Sequence, residues 1–266
     1  MNEVLLGAGE AARRLGVSPA TIQRWVSAGL LTATRTHGGH RRIPLSEIQR
    51  FLAATKPAAS TGNLEKWIAP LLAGDLQALR ALMIAARHES GHWSSVVEDI
   101  AAAIAEIGRR WEIGTCHIFE EHAASETLRR VAASCSAELQ CAPGAPLAVL
   151  LTVAGDRHTL GLSLAELVVV EAGWNPLWLG DGPPPHELDL LIEKRRPSLL
   201  VVAASAATPQ KVISRYQAAL EKAAGRRKIA LVFAGDGSWS QSKIGQRVYN
   251  FHELERTLTQ CRTATV

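Results

Sequence analysis

The sequence predicts a multidomain α + α/β protein, and three observations carry that expectation. Residues 1–55 interleave short helical stretches with a Gly-Gly hairpin, residues 63–140 repeat apolar side chains at helical spacing, and residues 147–266 alternate short apolar runs with helical segments. These ranges are expected to be a small basic head, a four-helix bundle and a doubly wound parallel sheet.

Composition narrows the function classes. Hydrophobic residues make up 47% of the 266 and charged residues 20%, which suits buried cores and excludes a disordered or collagen-like chain. The four cysteines (Cys116, Cys135, Cys141, Cys261) form no CxxC pair, so neither a disulfide framework nor a thiolate zinc site is expected, and a reducing cytoplasm is. No secretory leader is expected, and no run approaches the roughly 18 apolar residues of a membrane span, so no membrane partner is expected. The net charge of +4 is uneven: residues 1–60 hold eight Lys/Arg against three acids, while the remaining residues hold 21 against 22. A polyanion partner is therefore expected for the head.

In the head, Ala8–Leu15 is helical and stops at Gly16. Ser18-Pro19 then supplies an N-cap and a proline at the first helical position, where no donor is lost. The following helix sets Ile22, Trp25 and Val26 inward and Thr21, Gln23 and Arg24 outward. Arg35 to Ile43 forms a hairpin with Gly38-Gly39 at its tip, and Pro44 opens another helix. Polar residues on such a helix suit a major groove, with a wing on the backbone beside it. The run Ala11-Ala12-Arg13-Arg14-Leu15-Gly16-Val17-Ser18-Pro19, with Gly29-Leu30-Leu31 and Gly38-Gly39-His40-Arg41-Arg42, resembles the winged helix-turn-helix of the MerR family. The resemblance implies double-stranded operator DNA as partner, contacted by Ser18, Thr21, Gln23, Arg24, Arg35, His37, His40, Arg41 and Arg42.

Residues 53–62 have linker composition. Beyond them, Leu64/Trp67/Ile68/Leu71, Leu76/Leu79/Leu82/Met83, Val96/Val97/Ile100/Ile104 and Phe119/Leu128/Val131 mark four amphipathic segments. His88-Glu89-Ser90-Gly91-His92 fits the HExxH pattern, but Gly91 is better placed as a break between helices than inside a zinc-binding one. Trp111, nine residues, then Glu121-His122 is similar to the signature of cobalamin-binding helical caps in light-sensing MerR-type repressors. That resemblance implies an indole lid and polar contacts to an upper ligand.

In the last region, strands are expected at Leu147–Val153, Pro176–Leu179, Leu199–Ala203 and Ile229–Phe233. Helices are expected at Leu162–Gly173, Pro185–Arg195, Thr208–Ala224 and Tyr249–Cys261, with ligands at the carboxyl ends of the strands. After the first strand, Asp156-Arg157-His158-Thr159-Leu160-Gly161 resembles the Asp-x-His-x-x-Gly loop of cobalamin-binding Rossmann-like domains. The resemblance implies cobalt ligation by His158, with Asp156 fixing its tautomer and Gly161 allowing close approach. Three departures stand out. Glu112 replaces the His that follows the cap Trp in light-sensing relatives, Ser205-Ala206-Ala207 replaces Ser-x-Leu, and Gly235-Asp236-Gly237 replaces Gly-Gly.

Together these resemblances imply a regulator, not an enzyme, whose dimeric or tetrameric assembly on DNA follows a tetrapyrrole. Adenosylcobalamin, with light as the signal, is the family default. A bilin such as biliverdin near Cys116 is an alternative, and a corrinoid protein of a methyltransferase system is the rival of another class.

Overall fold

The computed structural model describes residues 5–15, 22, 26, 31–35, 41–48 and 61–265, with the backbone alone at residues 13, 15, 35, 41, 61–63, 264 and 265. The chain divides into two compact units, residues 1–60 and 61–266.

In the first unit, β1 (Leu5–Gly7), β2 (Thr34–Arg35) and β3 (Arg41–Pro44) form an antiparallel sheet in the order β1-β3-β2, with α1 (Ala8–Leu15) following β1. The expected hairpin is β2–β3, where Arg35 faces Arg41. Strand β1 was not expected, because three residues carry no alternation to read. Pro44 ends β3, so the helical turn begins at residue 45 and not at the proline. Leu6, Ala11, Ile22, Leu31, Ile43 and Ile48 make the core. The Thr32 amide donates to Glu47 Oε1 at 2.7 Å, fixing the approach to the hairpin.

The second unit begins with a bundle of α2 (Thr61–Leu72), α3 (Leu76–Ser90), α4 (Trp93–Glu112) and α5 (Ile118–Glu138). Asp75 caps α3 by accepting from the amides of Gln77 and Ala78. Gly91 closes that helix in the left-handed region at φ 79°. The two histidines of HExxH therefore do not share one helix.

A parallel sheet follows, built from β4 (Leu147–Thr152), β5 (Asn175–Gly180), β6 (Leu199–Ala203), β7 (Ala230–Ala234) and β8 (Gly245–Arg247) in the order β5-β4-β6-β7-β8. The intervening helices are α6 (Leu160–Glu171), α7 (Leu188–Arg195), α8 (Gln210–Gly225) and α9 (Phe251–Thr265). Strand order reverses between β4 and β6, which opens a crevice at their carboxyl ends. Strand β8, Gly-Gln-Arg, escaped the sequence reading because it has no apolar run. It is held by Gly245, where any side chain would collide with the Phe233 ring.

Bundle and sheet are one packed body, where the sequence reading drew a boundary between residues 140 and 147. Helix α6 is apolar nearly all round, with Leu162, Leu164, Leu167, Val168 and Val169 buried, because the sheet covers one side and α4 and α5 the other. Trp174 is fully buried in the same core and donates from Nε1 to the Leu258 carbonyl at 3.3 Å. Each such large side chain contributes roughly 1.5–3 kcal/mol by leaving water.

Candidate ligand site at the carboxyl edge of the sheet

The β4–α6 loop is fixed before it reaches its histidine. Thr152 Oγ1 donates to the Asp156 carbonyl at 2.6 Å. The Gly155 amide, at φ 85°, donates to Asp181 Oδ1 at 2.7 Å. These bonds pin the loop to the ends of β4 and β5.

Asp156 is the centre of the arrangement. Its buried Oδ1 accepts from the His158 amide at 3.0 Å and from His158 Nδ1 at 2.8 Å. Its Oδ2 accepts from the Ser205 amide and from Thr208 Oγ1, each at 2.6 Å. Burial works to raise its pKa, but the bonds from Thr208, Ser205 and His158 outweigh it and hold the carboxyl well below its ordinary value. An ionised carboxylate only accepts, so Nδ1 carries the proton and the lone pair of a neutral imidazole falls on Nε2. The His158 side chain is 67% exposed while that of Asp156 is 0%. An exposed Lewis base is thus held by a buried anion that also bridges the loops after β4 and β6, across the switch point.

Thr208 was missed as a site residue and was taken only as the start of a helix. Since its hydroxyl proton goes to Asp156, its oxygen can accept from Ser205 Oγ at 3.3 Å. Gly161 meets no protein atom where a Cβ would stand, so packing does not explain the glycine. Gly235, at φ 79°, and Gly237 lie against Ala204, where a side chain at either would collide. The two close-approach glycines are thus spaced around Asp236. Beside them, Arg247 Nη2 donates to the Gly235 carbonyl, while the buried Nη1 has no partner. Burial lowers the pKa of this guanidinium. Sequence reasoning had no signal for Arg247, since its strand was not visible.

At the tip of the bundle, the Arg110 carbonyl accepts from the amides of Thr115 and Cys116 and turns the chain from α4 into α5. This sets Trp111 (48% exposed), Ile113, Ile118 and Phe119 on the surface, with Glu112 also exposed. His117 stacks on Phe119 at 5.6 Å between centroids. Glu121 Oε2 lies 2.7 Å from His122 Nδ1, and Ser125 Oγ donates to Glu121 Oε1 at 2.9 Å. Trp111, Glu112, Glu121 and His122 therefore share one end of the bundle. Cys116, at the same turn, is buried, with burial pushing its thiol pKa up. A buried thiol with a raised pKa is a weak nucleophile.

Among the described residues, His92, Glu171 and Glu255 could present three ligand atoms to a metal ion. Their atoms are already engaged. Glu171 accepts from Arg87 and the Trp93 amide, and Glu255 accepts from Ser94 and lies against His92. The group clamps the start of α4 to α6 and α9.

Of the expected DNA contacts, Ser18, Thr21, Gln23, Arg24, His37 and His40 lie outside the described residues, and the side chains of Arg35 and Arg41 do too. Arg42 is half-exposed on β3, opposite Gly7 and Thr34.

Residues 5–56 match the family model described as helix-turn-helix domain, and residues 64–135 match that described as B12 binding domain. No curated protein matches the chain. Among solved structures, the monomethylamine corrinoid protein of Methanosarcina barkeri is similar at 15% identity over 76% of this chain and 99% of that one, with a TM-score of 0.56. The methanol:cobalamin methyltransferase complex MtaBC of the same organism aligns at 14% identity over 94% and 93%, with a TM-score of 0.39. A cobalamin-binding protein from Desulfitobacterium hafniense DCB-2 aligns at 15% identity over 75% and 97%, with a TM-score of 0.35. The first likeness bears on the fold alone. The chain thus joins a helix-turn-helix domain to a B12-binding helical domain and a Rossmann-like sheet.

Proposed function

We propose that this chain is a MerR-type transcription regulator, acting as a repressor and without enzymatic activity, whose assembly and operator occupancy are set by a bound cobalamin. The observation that carries this reading is the Asp156–His158 pair at the switch point of a chain that also holds a helix-turn-helix domain. Cobalamin would supply a cobalt ion able to bind the imidazole nitrogen of His158 together with an exchangeable ligand.

The residues present fit such a group. His158 offers Nε2, Asp156 holds the Nδ1 side of the ring and so orients it, and Gly161 has no protein atom where a side chain would stand. Trp111, Glu121 and His122 offer an apolar plate and a polar pair at the bundle tip, with Glu112 beside them. Ser205 and Gly235 line the carboxyl edge near Arg247, whose Nη1 has no hydrogen-bond partner and can meet an anionic group. Adenosylcobalamin is the form we favour, with light as the signal, on the resemblance of Trp111, Glu121 and His122 to the light-sensing caps. A self-assembled dimer or tetramer on repeated half-sites would supply affinity that one small head lacks. Ligand control then requires different ligand affinities in the free and assembled states.

The test is the absorption spectrum of the purified chain with adenosylcobalamin, hydroxocobalamin and biliverdin, in darkness and after illumination. Cobalamin retention is expected, with His158→Ala weakening it by about 10-fold or more. Retention of biliverdin alone would replace the cofactor. Retention of cobalamin with no duplex DNA binding would favour a corrinoid carrier over a regulator.

A further inference from the structure

The opposite, amino-terminal edge of the same sheet carries a second charged surface that the cofactor reading does not use. Helix α7 ends at Arg195 and α8 at Gly225, and the chain turns from each into β6 and β7. The last residues of α7 and the two turns hold Lys194, Arg195, Arg196, Arg226, Arg227 and Lys228, all exposed. They are brought together in space: Arg226 and Arg227 both reach Asp189 of α7, at 3.4 and 3.2 Å. Arg196 and Arg227 also line one cavity of about 330 Å³, with Glu193, Pro197, Ile192 and Ile229.

Complementing the two helix ends does not account for so much charge. Each carboxyl terminus carries about half a negative charge, so with Asp189 and Glu193 there are roughly three negative charges against six positive. Lys194, Arg195, Arg196 and Lys228 make no ion pair among the described residues. The backbone adds an independent sign. Arg196 at φ 49° and Lys228 at φ 53° are the non-glycine residues with positive φ among those described. Glycine or asparagine is easier to hold in that conformation. Both positions instead keep a cation, and both face this edge. Outside this edge, residues 61–266 carry an excess of acids, so the positive charge here is concentrated and not a general property of the unit.

We propose that this amino edge is a second contact surface for the phosphate backbone of duplex DNA. It acts without base readout, as cations spread over two turns contact phosphates but read no sequence. Glu193, in the wall of the cavity, disfavours a small free anion inside it.

The test is fluorescence anisotropy of the full chain on duplex DNA of arbitrary sequence, between about 50 and 200 mM salt. Lys194→Gln, Arg195→Gln, Arg196→Asn and Lys228→Asn are combined, since asparagine tolerates the left-handed backbone. The slope of log affinity against log salt is expected to become shallower by about 2 to 4, at roughly 0.9 per lost phosphate contact. Cobalamin retention and thermal midpoint should be unchanged, which separates this inference from the cofactor reading. An unchanged slope in the folded variant overturns the proposal. So does a thermal shift with inorganic phosphate that the variant loses while its DNA slope stays that of the parent, since the site would then belong to a small anion.

Discussion

The two edges of the parallel sheet place charge in opposite ways. At the carboxyl edge one buried carboxylate receives four hydrogen bonds and orients one exposed imidazole. At the amino edge several cations stand in water, four of them without an ion pair among the described residues. The first arrangement is directional and rigid, because a desolvated charge tolerates only geometry that satisfies it. The second is long-ranged and tolerant, because exposed charges act through a screened field that needs no fixed geometry. The difference teaches where each end's contribution lies: the carboxyl edge in fold stability and ligand geometry, the amino edge in association.

Mutations should separate the two. Asp156→Ala strands the Ser205 amide, the Thr208 hydroxyl and the His158 ring, and is expected to cost about 4 kcal/mol in urea unfolding. Thr208→Val keeps the shape but removes one bond to the anion, costing about 2 kcal/mol, while Thr208→Ser should cost far less. The pH dependence follows from the sign of the Asp156 shift. Its folded-state pKa is depressed, so its stabilisation is complete above the ordinary carboxylate value of about 4 and is lost as pH falls below it. The stability gap between parent and Asp156→Ala should therefore stay level from neutral pH to about 5 and narrow in stronger acid. The double variant Lys194→Gln/Arg195→Gln should move stability by less than about 0.5 kcal/mol while weakening DNA binding. A large stability loss there, or none at Asp156, would erase the contrast.

Much of the carboxyl-edge site was legible because its core is local. Asp156 and His158 are two residues apart, and a strand before them with a helix after fixes where they stand. Thr208 is 52 residues away from Asp156, and nothing near it in sequence announces a carboxylate partner. Arg247 was hidden behind an edge strand too short and too polar to show alternation. The burial of Cys116 was hidden for a related reason. Its turn of Gly, Thr and His looks like solvent-facing loop, yet the Arg110 carbonyl folds it back so that the thiol enters the core. The bundle tip was legible in the spacing of Trp111, Glu121 and His122, whereas Phe119, read with Leu128 and Val131 on one apolar face, is left outside by the packing.

By itself the sequence determined the basic head, the four helices, the strand–helix alternation and the Asp–His loop, because periodicity, caps and turn residues act over a few neighbours. Tertiary structure alone decided that bundle and sheet share one core, that Thr208 and Ser205 complete the anion's shell, and that two distant turns pool their cations at one edge. The reason is physical: hydrogen bonds to a buried charge and the summing of exposed charges depend on distance in space, which the order of residues along the chain does not record.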